Sequence, residues 1–197
     1  DLSQLATSNL ERINDMFYGC SSLTELDLST FDISKVTTME NTFRDCTSLV
    51  SLNTKSLSAN NLKNLNNTFY NCKSLKSLDL RNFNKAPASM QATFYGCESL
   101  EDINLNTVRL WYANYLNDLF NGCKSLKELD LPDGPYNAKD VSNMFRDCTS
   151  LTTIYISNIG WDFRSTPTSD NMFLNCTSLK GAVAYNASKT DLSMANF

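Results

Sequence analysis

The sequence predicts an α/β solenoid, a one-dimensional stack of short coils with parallel strands on one side and short helices on the other. Three observations carry this reading. The string F-x-x-C-x-S-L occurs seven times, opened by Phe17, Phe43, Phe69, Phe94, Phe120, Phe145 and Phe173. The seven cysteines are therefore one per repeat, at Cys20, Cys46, Cys72, Cys97, Cys123, Cys148 and Cys176, with spacings of 26, 26, 25, 26, 25 and 28 residues. An L-x-x-L-x-L pattern overlaps five of the strings: Leu23, Leu26 and Leu28 recur as Leu75, Leu78, Leu80, as Leu100, Ile103, Leu105, as Leu126, Leu129, Leu131, and as Leu151, Ile154, Ile156.

A period of 25 to 28 with that pattern is the signature of leucine-rich repeats. In Leu26-Asp27-Leu28 two side chains point inward and one outward, as a short strand requires, and equivalent strands should stack into one parallel sheet. Three residues beyond the strand Phe31, Leu57, Phe83, Val108 and Ile159 fill the bend. Four residues before each Phe stands Ile13, Met39, Leu65, Met90, Leu116 or Val141, a spacing that shares one helix face; Ser169 breaks the column in the last repeat. Thr38, Asn64, Ser89, Asp140 and Thr168, one residue earlier, have the side chains of helix N-caps. Gly19, Asp45, Asn71, Gly96, Gly122, Asp147 and Asn175, two residues after each Phe, tolerate the left-handed conformation that ends a helix.

Strands stack about 4.8 Å apart and packed helices 8 to 10 Å, so the array is expected to curve with the sheet inside. One domain spans residues 1–197, with repeats to about residue 180 and a C-terminal cap over 181–197, in which Ala182, Val183 and Ala184 offer a closing strand. Asp1-Leu2-Ser3 aligns with Asp27-Leu28-Ser29, so the chain opens in mid-repeat and reads as a fragment without an N-terminal cap. Residues 160–167 lengthen the last connector, and Pro132-Asp133-Gly134-Pro135 makes a turn in the one before it.

Composition narrows function. The 197 residues are 42% apolar and 19% charged, enough for one sizeable core. A net charge of −4 gives no reason to seek a polyanion, so nucleic acid is not an expected partner. Without histidine, His-based general base catalysis, Ser-His and Cys-His dyads and His-ligated metals are excluded, and no acid and base pair stands out. No run of about 18 apolar residues is present to enter a membrane. The cysteines read as buried thiols: seven is odd, parallel side-chain vectors suit a disulfide poorly, and there is no C-x-x-C pair for zinc. The serines two positions later read as turn hydrogen-bonders. Neither cofactor nor metal is expected.

The string M-F-x-x-C-x-S-L over Met16–Leu23, followed by L-D-L-S-x-F-D over Leu26–Asp32, resembles the BspA-like leucine-rich repeats of bacterial surface proteins, in the subfamily with repeats of about 26 residues. Ala184-Tyr185-Asn186 with Lys189-Thr190-Asp191 is similar to segments that end such arrays. The resemblance covers the whole chain. It implies a secreted or surface-anchored, non-enzymatic protein that attaches to host matrix proteins, plasma proteins or other bacteria. It brings no catalytic motif.

Two groups of residues are candidates for contact with a protein or glycan partner. The outward strand column reads Asp27, Asn53, Asp79, Asn104, Asp130 and Tyr155, where alternating carboxylates and amides halve like-charge repulsion. Such a column is equally a solvated sheet face, and a flat ladder does not converge six oxygens on calcium. The second group is aromatic: Trp111 and Tyr112 where other connectors are polar, Tyr115 at a cap position, Trp161 in the inserted connector and Tyr136 after the proline turn. A lid over a widened connector is the alternative for these. A spacer without a ligand, or a carbohydrate-binding module, are the other functional readings, and a monomer is expected.

Overall fold

The computed structural model describes residues 2, 4–54, 57–83, 87–131, 134–156, 163, 165–180 and 186–191. The rungs superimpose as the repeat requires. Phe17, Phe43, Phe69, Phe94, Phe120, Phe145 and Phe173 form one column with neighbouring ring centroids 5.3 to 5.8 Å apart and planes within 14°. Offset stacks at this separation are favourable, each adding about 0.5–1.5 kcal/mol beyond burial. The strand leucines and the connector residues Phe31, Leu57, Phe83 and Val108 join them in one continuous core. Ile159 and the Ala182–Ala184 segment lie outside the described residues.

The strands are β1 (Glu25–Asp27), β2 (Ser51–Asn53), β3 (Ser77–Asp79), β4 (Asp102–Asn104), β5 (Glu128–Leu131) and β6 (Thr153–Ile156). All pairing is parallel and in register, with Leu26 opposite Leu52, Leu78 opposite Ile103 and Leu129 opposite Ile154. Contrary to the expected single sheet, the ladder is broken into three pairs, β1–β2, β3–β4 and β5–β6. Strands of three or four residues leave so few ladder positions that the sheet does not propagate across every rung.

The short helices are absent from the described residues; the only helical element is one 3-10 turn, Leu110–Tyr112. In their place each rung carries overlapping turns whose amides alternate in destination. Thr42 N, Arg44 N and Cys46 N bond back three residues to Met39 O, Asn41 O and Phe43 O. Met39 N, Asn41 N, Phe43 N and Asp45 N instead donate to Asn64 O, Asn66 O, Thr68 O and Tyr70 O of the next rung, at 2.8 to 3.1 Å. The same four bonds recur at all six junctions. An α-helix needs consecutive right-handed residues and every amide bonded within the helix. Here a left-handed residue intervenes both two before and two after each Phe, for example Asn41 at φ 53° and Asp45 at φ 60°.

The expected N-cap residues therefore have a different place. Arg12, Thr38, Asn64, Ser89, Tyr115, Asp140 and Thr168 form an unbroken column of parallel bridges. Their side chains still serve backbone amides, but in turns: Asn64 Oδ1 accepts from Asn66 N and Asp140 Oδ1 from Ser142 N, both two residues on. With the turn side held at backbone hydrogen-bond spacing at every junction, the helix-driven cause of curvature is removed.

The thiols are free, and buried in every rung except the first, where Cys20 is exposed. Each buried Sγ points at the carbonyl of the Phe one rung earlier, as in Cys97 to Phe69 at 3.1 Å and Cys123 to Phe94 at 3.2 Å. They are small apolar fillers that also donate a weak hydrogen bond. Burial pushes the Cys46 thiol up to about 11 and those of Cys97 and Cys176 to about 12.

Candidate functional site

Two concave surfaces among the described residues bear on the candidate site. The first lies on the strand side, an open concavity of about 640 Å³ lined by Glu25, Asp27, Ser51, Asn53, Ser77 and Asp79. The inward leucine of each strand forces its neighbours outward, and this alternation aligns the polar residues of successive rungs. The structure thus brings Asp27 and Asp79 to one surface with Asn53 between them. Their polar atoms are already engaged. Asp27 Oδ1 accepts from Ser29 N at 2.8 Å and from Asn53 Nδ2 at 2.9 Å. These bonds, the Ser29 amide first, hold the Asp27 carboxyl below its ordinary range. Asp79 Oδ2 is paired with Arg81, 2.6 Å from Nη2. Further along, Asp130 is exposed and in register with Tyr155, which is 50% exposed and has its hydroxyl 3.4 Å from Glu128 Oε2.

The second concavity, of about 450 Å³, is lined by Tyr112, Asn114, Asn137, Lys139 and Ser165. The Leu110–Tyr112 turn builds it by burying Leu110 completely and turning Tyr112 outward, at 52% exposure. The Trp111 and Tyr112 rings lie 4.6 Å apart at 54°. Asn137 fixes this turn to the next rung by donating Nδ2 to Trp111 O at 2.8 Å. Trp111 itself is only partly exposed, and its buried Nε1 has no acceptor among the described residues.

The remaining aromatic candidates separate from this pair. Tyr115 is 46% exposed in the bridge column between Ser89 and Asp140, not at a helix cap. Tyr136 is partly buried, with its amide bonded to Gly134 O. Trp161 lies outside the described residues.

A third feature is a ridge one residue after the Phe in the first four rungs, exposed at Tyr18 and partly exposed at Arg44, Tyr70 and Tyr95. The Arg44 guanidinium lies 4.4 Å from the Tyr70 ring centroid and 6.0 Å from that of Tyr18, and Tyr70 stacks on Tyr95 at 4.5 Å. The alternation of tyrosine and arginine in the sequence is the signal of this cation–π ladder. Sequence reasoning missed a second left-handed column two before each Phe, formed by Asp15, Asn41, Asn67, Ala92, Asp118, Asn143 and Asn171. Its recurring Asp and Asn were the available signal. Among the described residues no three His, Cys, Asp or Glu side chains cluster to hold a metal, and no helix is long and apolar enough to cross a membrane.

Two family models match the chain: a Mycoplasma protein of unknown function, DUF285, over residues 1–108, and the BspA type leucine rich repeat region, in six copies, over residues 66–197. No curated protein matches. Among solved structures the chain is similar to the T. pallidum leucine rich repeat protein, with TM-score 0.63 and 23% identity over 90% of this chain and 75% of that one. It is also similar to a leucine rich cell surface protein from Faecalibacterium prausnitzii A2-165, with TM-score 0.52 and 18% identity over 82% of this chain and 39% of that one. At these identities the likeness establishes the leucine-rich-repeat fold.

Proposed function

We propose a non-enzymatic interaction module of the cell surface as the role of this chain, which belongs to the BspA-type leucine-rich repeat family and to the DUF285 family of Mycoplasma proteins of unknown function. The reading rests on one observation, the concavity of about 450 Å³ in which exposed Tyr112 is braced by Trp111 and rimmed by Asn114, Asn137 and Lys139. Binding energy concentrates in aromatic anchors set in preformed hollows with a polar rim. The anchor is held by backbone and side-chain bonds to the next rung, so little ordering cost opposes association with a protein or glycan. On the strand face the carboxylates of Asp27 and Asp79 already have partners, and an incoming group would have to displace them.

A second reading places the contact on the strand face, favoured by its larger concavity of about 640 Å³ and by Tyr155. Binding of the protein, Tyr112→Ala and Tyr155→Ala to a glycan array and to immobilised matrix and plasma proteins separates the two. Loss of signal of at least about tenfold in Tyr112→Ala alone is expected for a hot-spot aromatic. Loss in Tyr155→Ala alone moves the site to the strands. Silence of the unaltered protein on every surface leaves a spacer.

A further inference from the structure

We propose that the hollow beside Tyr112 takes a carboxylated pyranose, a sugar residue of the uronic or sialic acid class carried on a glycan; this rests on the reading of that hollow as the contact site. The two concavities differ in the state of their polar groups. On the strand side Asp27 is bonded to Ser29 and Asn53, and Asp79 to Arg81. In the Tyr112 hollow the side chains of Asn114, Lys139 and Ser165 and the Tyr112 hydroxyl make no hydrogen bond or ion pair among the described residues. Asn137 donates Nδ2 to Trp111 O at 2.8 Å, and no donor reaches its Oδ1 among the described residues.

An earlier junction shows the same clip in a closed form. Asn61 Nδ2 donates to Ser34 O, at the position that aligns with Trp111. The residue after Ser34 is Lys35, and its ammonium is satisfied by Asn9 Oδ1 at 2.9 Å. At the later junction Tyr112 stands in place of that lysine, and the cation comes instead from Lys139 on the next rung. Asp140, its neighbour in the chain, turns its carboxylate to Ser142 N at 2.9 Å and leaves Lys139 without an anion. In a chain of net charge −4, the one charged residue described on the wall of this hollow is thus an unpaired cation.

Each group matches one part of an acidic sugar. The carboxylate meets the Lys139 ammonium in a charge-assisted hydrogen bond. Ring hydroxyls both donate and accept, and so do the carboxamide of Asn114 and the hydroxyl of Ser165, while Asn137 Oδ1 adds an acceptor. The Tyr112 ring, 52% exposed and with the Trp111 ring 4.6 Å away, offers a flat apolar surface to the C–H face of the pyranose. The volume of about 450 Å³ falls in the range of small-ligand sites. An acidic peptide would also satisfy Lys139, but peptide grooves gain affinity from apolar pockets for side chains, and none of the described residues lining this hollow is aliphatic.

The test titrates the full chain with sialyllactose, with a disaccharide ending in glucuronic acid, with the carboxyl-reduced form of each, and with a Glu-containing peptide, read by saturation-transfer NMR. At least one acidic sugar is expected to bind at least about fivefold more tightly than its reduced form, by a margin that shrinks as salt rises. The sugar that does so identifies the source of the carboxylate. Tyr112→Ala should weaken its binding at least about tenfold and Lys139→Gln about fivefold, while Lys139→Arg should hold it within about threefold. Lys63→Gln, in the same backbone column but outside the hollow, should leave binding unchanged. Lys139 is exposed, so Lys139→Gln should also keep the Tm of the unaltered protein. Equal binding of acidic and reduced sugars, indifference to Lys139→Gln, binding of the peptide alone, or silence toward every sugar each overturns the proposal. The contact reading outlives those results if Tyr112→Ala still loses binding to immobilised matrix or plasma proteins, and falls with them if it does not.

Discussion

The two sides of the coil are built by different economies of hydrogen bonding. On the strand side, ladders of three or four residues join β1 to β2, β3 to β4 and β5 to β6, and the sheet lapses between the pairs. On the turn side every junction carries the same four backbone bonds and the bridge column runs unbroken from Arg12 to Thr168. The seven phenylalanines of the repeated string and all seven cysteines belong to the turn side, while the exposed carboxylates of Asp27 and Asp130 belong to the strand side. Continuity of the stack therefore resides in the turns, and the strands contribute apolar residues inward and a polar face outward.

Extremes of pH should expose this contrast most strongly. Buried thiols keep their protons in the folded state up to about 11 to 12, whereas the unfolded chain releases them near the ordinary 9.0. The folded state then binds more protons in that window, so stability is full below about 9 and falls as pH rises towards 12. Asp27 has the opposite sign: its lowered pKa contributes above the ordinary 3.8 and is lost as pH falls through the folded value. Being fully exposed, that carboxylate has little leverage. Chemical unfolding from pH 2 to 11 should show a much steeper alkaline loss than the part of the acid loss due to Asp27, and a flat alkaline limb would contradict the assignment.

Among substitutions, Phe94→Ala is expected to cost about 3–5 kcal/mol, because the ring is fully buried between Phe69 and Phe120. Denaturant midpoints measure it. Glycines of the turn side give a paired test. Gly96 has φ 68° and an added Cβ would meet Asn71 Oδ1 at 2.5 Å, whereas Gly19 has φ 69° with nothing within 4 Å. Gly19→Ala should lose about 1 kcal/mol for the left-handed backbone, and Gly96→Ala clearly more. Ala92, with φ 49° in a column otherwise Asp or Asn, sharpens the same point from the other direction. Ala92→Gly should stabilise by up to about 1 kcal/mol. On the strand side Asn53→Ala removes one surface hydrogen bond to Asp27 and should change stability by no more than about 0.5 kcal/mol.

Much of the fold and part of the candidate site were legible as residue columns. The string around each Phe located the rings, thiols and leucines, because a stack of equal turns must place equal residues over one another. The outward reading of Asp27, Asp79, Asp130 and Tyr155 followed from alternation alone. Surplus aromatics drew attention to Trp111 and Tyr112, but not to their unequal exposure, which depends on Leu110 being drawn into the core and Asn137 bonding the turn from the next rung. Tyr115 was misplaced because a cap and a bridge partner favour similar positions in a short segment.

The sequence by itself determined the period, the register of the rungs and the set of side chains that each rung buries, since these follow from spacing and polarity within one chain. Only the tertiary structure decided between helix and turns. The spacing of Met39 and Phe43, with Asp45 ready to turn left-handed, suits either. What settles it is the row of carbonyls from Asn64 to Tyr70 on the adjacent rung, within reach of every second amide. A backbone amide bonds one way or the other according to what stands beside it in space.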